Sequence, residues 1–255
     1  VNGYDIDSYN LSIGYDKKVN DSIVMGLAFN YTEADIDSDE INASRLSIEG
    51  YQLSAYLSYA LDEATFVDAI VMLGANDNDS RRKIAIGEID GIGSGDFDSR
   101  YGRLYAAVGR DHLLNQQFTL TPIVSLLYTY IEEDSYNETG LGDIGLAVNK
   151  RDAEFAVAEL AVAGNYALNA HHHFSATAGF GYELLSTDTT IDASFIGDST
   201  VFQTNGAERA PEEYTIGLGY KFIADDQLTV NVNYDYEAAQ GYKNQMLSAT
   251  ARYLW

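Results

Sequence analysis

Apolar residues recur at every second position in several long segments of this chain. In residues 23–31, Met25, Leu27 and Phe29 alternate with glycine, alanine and asparagine. The same alternation is found in residues 8–15, 51–59, 66–74, 102–109, 118–130, 155–167, 173–185, 214–222, 227–236 and 245–255. A period of two is typical of β-strands, so the sequence predicts an all-β protein of about eleven antiparallel strands.

The positions of the tyrosines indicate where these strands lie. One end of the predicted strands carries Tyr15, Tyr59, Tyr166, Tyr220 and Tyr253, and the other end carries Tyr31, Tyr128, Tyr130, Tyr182, Tyr234 and Tyr236. Two aromatic belts beside an apolar band are typical of a transmembrane barrel, whose tilted strands need about 9–11 residues to cross the bilayer. A soluble β-sandwich shows the same alternation, but the belts favour a transmembrane, antiparallel, up-and-down β-barrel.

The links between the predicted strands alternate in length. Every other link is short, as in DKKVND, LDEA and LNAHH, and the links between them are long and acidic: residues 32–44, 76–99, 132–152 and 187–213. Bacterial barrels have short periplasmic turns and long external loops, so we expect the C-terminus on the periplasmic side of the outer membrane. Such barrels have even strand numbers, and an open edge leaves backbone groups unpaired in lipid. We therefore expect a barrel of about twelve strands, one of which precedes Val1.

Composition narrows the possible functions. The formal charge of -24 opposes binding to the phosphates of nucleic acids, so we expect no nucleic-acid partner. Because the chain has no cysteine, neither disulfides nor thiolate metal sites can form. No apolar run reaches the roughly 18 residues of a membrane-spanning helix. Tyrosine (20) outnumbers phenylalanine (10) and tryptophan (1), which suits rings with one apolar side and one end in water.

Five stretches of the chain together resemble a known family. They are SYNLSIGYDKKVNDSIVMGLAFNY, YQLSAYLSY, LTPIVSLLYTYIEEDSYNETG, ERAPEEYTIGLGY and the final ATARYLW. In order and spacing they are similar to the C-terminal translocator domain of the monomeric autotransporters, the type V secretion proteins. The resemblance implies that residues 1–255 are one outer-membrane β-barrel domain of a Gram-negative bacterium, without its first strand, plug helix and passenger. It implies a non-enzymatic protein, without cofactors, that anchors and exports its own N-terminal passenger.

The resemblance also implies partners. These are outer-membrane lipid and lipopolysaccharide, the barrel-assembly machinery with periplasmic chaperones, and the protein's own passenger and plug helix. The alternating C-terminal segment with its last aromatic resembles the signal that the assembly machinery reads. We therefore expect Leu247, Tyr253 and Trp255 to serve both the barrel and its insertion, the alternative being that Trp255 is only a belt aromatic.

Polar residues on the other face of the strands form the candidate site. Ionisable groups inside a membrane protein mark water-filled cavities, so we expect a polar set to line a wet lumen and to contact the plug helix or a passing polypeptide. The set is Gln52, Asp68, Arg103, Glu159, Glu183, Asn231, Asn233, Asp235 and Arg252. For each residue the alternative is a merely hydrated wall. Because some autotransporters cut their own passenger with lumen acids, Glu159, Asp68 and Asp235 are conceivable participants in such a cleavage.

Other functions have weaker support. A stand-alone porin or adhesin barrel would have no passenger upstream of Val1. A barrel hydrolase would need histidine or serine groups at the outer rim, but His112 and the run His171 to His173 fall in the periplasmic half. We expect no metal site, because that run diverges on a turn and the acidic segment after Asp35 lacks the Gly and Glu of an EF-hand loop.

Two smaller features carry expectations of their own. Gly-x-Gly pairs at Gly179 and Gly217 interrupt strands, where we expect a neighbouring aromatic ring to lie across the backbone or the barrel to curve tightly. Glu138 belongs to the YNETG part of the resembling stretches, and we expect it to have a structural role.

Overall fold

The computed structural model describes residues 4–38, 44–87, 89–187, 190–205, 210–224, 227–240 and 242–254. Eleven long strands form one antiparallel sheet: β1 (Tyr4–Lys18), β2 (Ile23–Ser38), β3 (Ser44–Ala60), β4 (Thr65–Ile86), β5 (Ile89–Arg110), β7 (Phe118–Glu133), β10 (Arg151–Ala167), β11 (His172–Ser186), β14 (Glu212–Ile223), β15 (Leu228–Ala239) and β16 (Tyr242–Tyr253). The short strand β6 (His112–Leu113) pairs with β7. A second sheet contains β8 (Tyr136–Asn137), β9 (Leu146–Val148), β12 (Ile191–Phe195) and β13 (Asp198–Thr204). Among the described residues, no helix is long and apolar enough to cross a membrane.

The long strands pair in sequence order, which confirms the predicted all-β, up-and-down topology and each of the eleven predicted strands. Within the described ranges, no ladder joins β1 to β16. The sheet nevertheless curls far enough for side chains of its two edge strands to meet, since Arg252 Nη2 on β16 lies 2.6 Å from Asp16 Oδ2 on β1. The face that carries Asp16 and Arg252 is therefore the concave one.

Because apolar and polar residues alternate along each strand, the two faces of the sheet differ in polarity. Between the two tyrosine levels the convex face is apolar and exposed, as at Leu53, Leu73, Leu160 and Leu218. The concave face is polar, and the buried apolar residues of the described part are only three alanines, Ala107, Ala161 and Ala193. A soluble sandwich would bury its large apolar face in a shared core, so this arrangement fits a sheet whose apolar face meets lipid.

One end of the sheet is closed by short turns with a common design. In four of them an Asn or Asp side chain accepts hydrogen bonds from backbone N–H groups two or three residues later, as Asp62 Oδ1 does from Ala64 N (2.8 Å) and Thr65 N (2.7 Å). The other three acceptors are Asn20, Asn115 and Asn169. Such side-chain-to-backbone bonds stabilise turns locally. We call this the short-turn end.

At the opposite end the structure corrects two predicted loops. Residues 32–44 and 76–99 lie largely within extended strands: β2 and β3 stay in register up to Asp37–Arg45, and β4 and β5 reach 22 residues each. Residues 39–43 lie outside the described part. The interpretation as loops was wrong because acidic residues there still alternate with small or apolar ones, as Glu33 and Asp35 do with Ala34 and Ile36. The ladder therefore continues beyond the tyrosine belt.

The other two predicted long links, residues 132–152 and 187–213, contain the strands of the second sheet, which we call the second tier. The order β8-β9-β12-β13 repeats, above them, the order β7-β10-β11-β14 of the strands that these links connect. A backbone pair joins this tier to β5, where Thr139 N donates to Ser94 O (2.7 Å) and Ser94 N donates to Thr139 O (3.0 Å). We call the described residues 4–7, 33–38, 44–49, 76–87 and 89–99, together with β8, β9, β12 and β13, the collar.

The polarity of the two faces reverses in the collar. Its convex face is acidic and carries Asp5, Asp7, Glu33, Asp35, Asp37, Glu49, Asp77, Asp79, Asp96 and Asp98. Its concave face carries an apolar patch of Ile6, Ile36, Leu46, Ile48 and Phe97, beside the polar residues Asn76, Asn78, Ser80 and Arg82 of β4. The sheet is therefore apolar outside and polar inside along most of its length, and at one end it is acidic outside and carries an apolar patch inside.

Candidate functional site

The nine polar residues of the predicted site lie on the concave face. Each sits between two convex-face residues of its strand, as Gln52 does between exposed Tyr51 and Leu53, and Glu183 between exposed Tyr182 and Leu184. The structure thus brings them to one surface, because alternation along a regular ladder fixes the face of every residue. Their contacts with a plug helix or a polypeptide remain a prediction.

Glu159 is the centre of the first group on this face. Its carboxylate accepts hydrogen bonds from Thr215 Oγ1 on β14 (2.6 Å to Oε1) and Ser125 Oγ on β7 (3.4 Å to Oε2). To reach β14 it crosses β11 at Gly179, where any side chain would collide with it. Asp235 lines the same cavity of about 340 Å³, so two of the three acids named for passenger cleavage lie near each other.

Tyr101 is the centre of the second group. Its hydroxyl donates to Gln52 Oε1 (2.9 Å), and its ring lies across β4 at Gly74. The guanidinium carbon of Arg103 lies 5.2 Å from the centre of the same ring, within the range of a cation–π contact. Tyr101 therefore brings two predicted residues, Gln52 and Arg103, together. Sequence reasoning missed it because it has the same residue type as the belt tyrosines, and only its position on the polar face distinguishes it.

The remaining predicted residues are more dispersed. Arg252 pairs with Asp16 across the sheet edges, and Asn233 extends over Gly219. Within the described part, Asp68, Glu183 and Asn231 belong to neither group. The expectation for the glycine pairs was wrong in one respect, because polar side chains rather than aromatic rings lie across Gly179 and Gly217.

The predicted assembly signal lies on the convex face of the last strand. Leu247 is 75% exposed and Tyr253 is 55% exposed, and the Tyr253 hydroxyl donates to Gln227 Oε1 (3.2 Å). Trp255 lies outside the described residues. Both described side chains are placed where a partner could reach them, and their role in insertion stays a prediction.

Glu138 has the structural contacts expected of it. Its side chain is 4% exposed and accepts two hydrogen bonds from Arg82, Nε to Oε1 (2.9 Å) and Nη2 to Oε2 (2.5 Å). Leu146 N also donates to Oε2 (2.9 Å). The hydrogen bond to Glu138 raises the pKa of Arg82. This ion pair ties the link between β7 and β10 to β4 across Gly93 of β5.

The histidines bond to neighbouring groups at the short-turn end. His172 Nδ1 lies 2.7 Å from the Tyr220 hydroxyl, and His171 Nδ1 lies 2.8 Å from Ile223 O. In the part of the chain that the structure describes, no three His, Asp or Glu side chains are arranged to hold a metal ion.

Comparison with known proteins decides the family. The profile of the family "Autotransporter beta-domain" matches residues 1–235. The chain belongs to the autotransporter β-domain family. This membership agrees with the outer-membrane localisation expected from the sequence.

Relatives of this autotransporter β-domain include outer membrane protein A of Rickettsia conorii, 26% identical over 99% of the chain. Outer membrane protein B of Rickettsia japonica is 22% identical over 94% of the chain. The chain spans only 13% and 15% of the length of these two relatives.

Solved structures with the same fold include other translocator domains. The translocator domain of NalP from Neisseria meningitidis has a TM-score of 0.81 at 15% identity, covering 100% of this chain and 82% of that one. The β-domain of the Bordetella autotransporter BrkA has a TM-score of 0.65 at 17% identity, covering 98% and 91%. These matches confirm the fold of the β-domain.

The acidic convex face of the collar predicts a pH-dependent property of the β-domain. Asp77 faces Asp98 across β4 and β5, and the hydrogen bond and negative charge of Asp98 raise the pKa of Asp77. Because the pKa of Asp77 is higher in the folded state, its proton stabilises the folded state at acidic pH. This stabilisation is lost as pH rises through the pKa that Asp77 has in the folded state. We expect Asp98→Asn to return the Asp77 titration midpoint toward its ordinary value.

Carboxyl-carbon NMR titration in detergent micelles measures this midpoint. Asp62 provides the control, because hydrogen bonds from Ala64 N and Thr65 N lower its pKa, and Asp98→Asn should leave it in place. An Asp77 midpoint that does not move in Asp98→Asn would contradict the proton-sharing contact.

Proposed function

We propose that this β-domain closes into an outer-membrane barrel and conducts a passenger polypeptide of the same protein to the cell surface. The observation that carries the proposal is the continuous polar concave face within a convex apolar band. A water-filled path is what an extended polypeptide needs to cross a membrane, since unpaired backbone groups in hydrocarbon cost several kcal/mol each. The sequence has no nucleotide-binding motif, so the energy for export would come from passenger folding or from the assembly machinery.

We propose further that one strand of the same protein pairs between β1 and β16. Tyr101 reaches Gln52 and Glu159 reaches Thr215 across one intervening strand each. Arg252 donates to Asp16 in the same way across the open space between β16 and β1, which supports a gap that one strand could occupy. Such a strand would give the edges the backbone partners that lipid cannot provide.

The orientation of the barrel and its partners also belong to this proposal. Bacterial barrels keep their short turns in the periplasm, which supports a periplasmic C-terminus and a collar outside the cell. The exposed alternation at Leu247 and Tyr253 supports recognition by the assembly machinery and its chaperones. The apolar band would contact lipid, the acidic collar would face lipopolysaccharide, and the concave face would contact the plug helix.

We infer that the chain itself is not an enzyme. The Glu159 carboxylate already accepts hydrogen bonds from Thr215 and Ser125, which supports a structural role for it in holding β7, β10 and β14 together. Passenger cleavage by Glu159 would be the contrary result, seen if Glu159→Gln left an uncleaved passenger where the unaltered protein releases one.

Cysteine labelling on intact cells tests the orientation and the export together. The chain has no cysteine, so Lys83→Cys in the collar and Glu63→Cys in a short turn each provide one reporter. We expect a membrane-impermeant maleimide to label only Lys83→Cys until the outer membrane is opened. In the same cells, the membrane-extracted protein should have a mass far above that of this domain, and external protease should remove the excess.

Two results would contradict the proposal. Labelling of Glu63→Cys alone in intact cells would reverse the orientation. A mature protein that consists of this domain plus a single strand would exclude secretion and favour a stand-alone porin or adhesin, for which ion conductance would be the next measurement.

A further inference from the structure

The concave face of the collar carries an apolar patch although it continues a polar wall. Ile36 pairs with Ile6 on one side and with Leu46 on the other, so these three side chains form a row across β1, β2 and β3. Ile6 is 53% exposed. Further along, the rings of Phe97 and Tyr136 stack with centres 4.7 Å apart and planes 11° from parallel.

Part of this apolar patch lines a recess. A cavity of about 380 Å³ is lined by the apolar and aromatic side chains Ile36, Leu46, Phe97, Tyr136 and Leu146, with Ser38, Ser44, Ser80, Arg45 and Arg81 at its edges. The ion pair between Arg82 and Glu138 borders it and fixes the second tier beside β5. The Arg82–Glu138 ion pair therefore holds the second-tier side of the recess, Tyr136 and Leu146, in place against β4 and β5.

The recess lies directly along the path out of the concave face. On β2 and β3 the same face carries Asn30 and Gln52 below the tyrosine belt and Ile36 and Leu46 above it. A polypeptide that moves along these strands leaves amide and hydroxyl groups and meets partly exposed hydrocarbon. Lipid does not reach this surface, because the convex face of the same strands is acidic at that level.

We propose that the apolar patch on the concave face of the collar binds apolar side chains of the exported polypeptide as it leaves the barrel. This inference rests on the proposed function and names the occupant as a segment of the same natural protein outside this chain. The related outer membrane protein A is long enough for such a segment, since this domain spans 13% of it.

Such binding would favour movement outward. Apolar side chains gain contact only after they pass the polar wall, and burial of apolar surface is favourable by roughly 25 cal/mol per Å². A chain that has reached the collar is then held there and slides back less often. The collar would act as the first apolar surface outside the lumen, before the passenger folds.

Site-specific photo-crosslinking in the full-length natural protein, in its own outer membrane, tests the inference. A photo-reactive amino acid at Leu46 faces the recess, and the same amino acid at Ser47 faces the convex side one residue away. We expect Leu46 to crosslink to the passenger while it is being exported and Ser47 not to do so.

A matched substitution measures the effect on export. Ile36→Ser together with Leu46→Ser removes two of the three apolar side chains of the row, whereas Ile92→Ser removes an apolar side chain that is 54% exposed on the convex face of the same collar. We expect passenger to reach external protease about tenfold more slowly in the double variant, equivalent to about 1.4 kcal/mol of lost contact, and at the unaltered rate in Ile92→Ser. Equal amounts of heat-resistant folded barrel in all three proteins show that folding is not the cause.

The outcomes are distinguishable. If passenger reaches the surface while Leu46 crosslinks only to lipopolysaccharide, to a second copy or to nothing, the inference is wrong and the proposed function stands. An unchanged export rate in the double variant also overturns the inference. If the unaltered protein exports no passenger, the proposed function fails and the inference fails with it.

Discussion

Glu138→Gln is expected to destabilise the collar by about 3 kcal/mol while leaving the membrane-spanning ladder intact. Removing one partner of a buried ion pair typically costs about 3–5 kcal/mol. The lower end applies because the Arg82 side chain is 30% exposed and water can solvate part of its charge. The substitution also weakens the bond from Leu146 N, which depends on the same carboxylate.

Hydrogen–deuterium exchange measures this local loss. About 3 kcal/mol corresponds to exchange roughly a hundredfold faster, which we expect for amides of residues 134–148 and not for those of β14 to β16. Glu132→Gln is the matched control, because its partner Lys150 lies 2.8 Å away in a pair with side chains 27% and 53% exposed. Pairs of that kind contribute about 0–1 kcal/mol, so equal effects of the two substitutions would contradict the buried role of Glu138.

Ala178→Arg and Thr177→Arg are expected to have opposite outcomes although the two residues are neighbours. Ala178 lies on the convex face of β11, midway between Phe174 and Tyr182, and pairs with Ile216. An arginine on the lipid face near the bilayer midplane costs about 2–4 kcal/mol, falling toward zero near the interfaces. Thr177 instead lines the concave cavity with the acids Glu159 and Asp235, where a cation is attracted and hydrated.

Reversible unfolding in lipid vesicles measures the difference. We expect Ala178→Arg to lower the free energy of unfolding by about 3 kcal/mol and Thr177→Arg to change it little. Thr177 serves as the control for the added size and charge at this level of the strand. If both variants lost the same amount, the convex face of β11 would not be the lipid face.

The alternation in the sequence is sufficient to predict the membrane-spanning strands but not the collar. Alternation identifies β2 because Met25, Leu27 and Phe29 are large and apolar on one face. Beyond Tyr31 the same strand continues with Glu33 and Asp35 on that face, and a run of acids resembles a loop. The alternation does continue, but the apolar residues move from the odd-numbered to the even-numbered positions, where Ala34 and Ile36 lie.

The contacts of the candidate site needed the three-dimensional register. Glu159 and Thr215 are 56 residues apart in sequence, and no local pattern joins residues on strands that are not sequence neighbours. The face of Glu159 follows from alternation, whereas its partner depends on which residue of β11 lies beneath it. The same holds for Tyr101 and Gln52, which sequence places on one face without placing them in contact.

The glycine beneath Tyr101 has a consequence for how the strands find their alignment. A slip of β4 against β5 by two residues preserves the faces, so hydrophobic alternation alone does not prevent it. It would place Met72 or Asn76, the neighbours of Gly74 on that face, beneath the ring, where even a Cβ atom collides. The Tyr101 ring and Gly74 therefore select one register of β4 against β5, among several registers that would place the same residues on the lipid face.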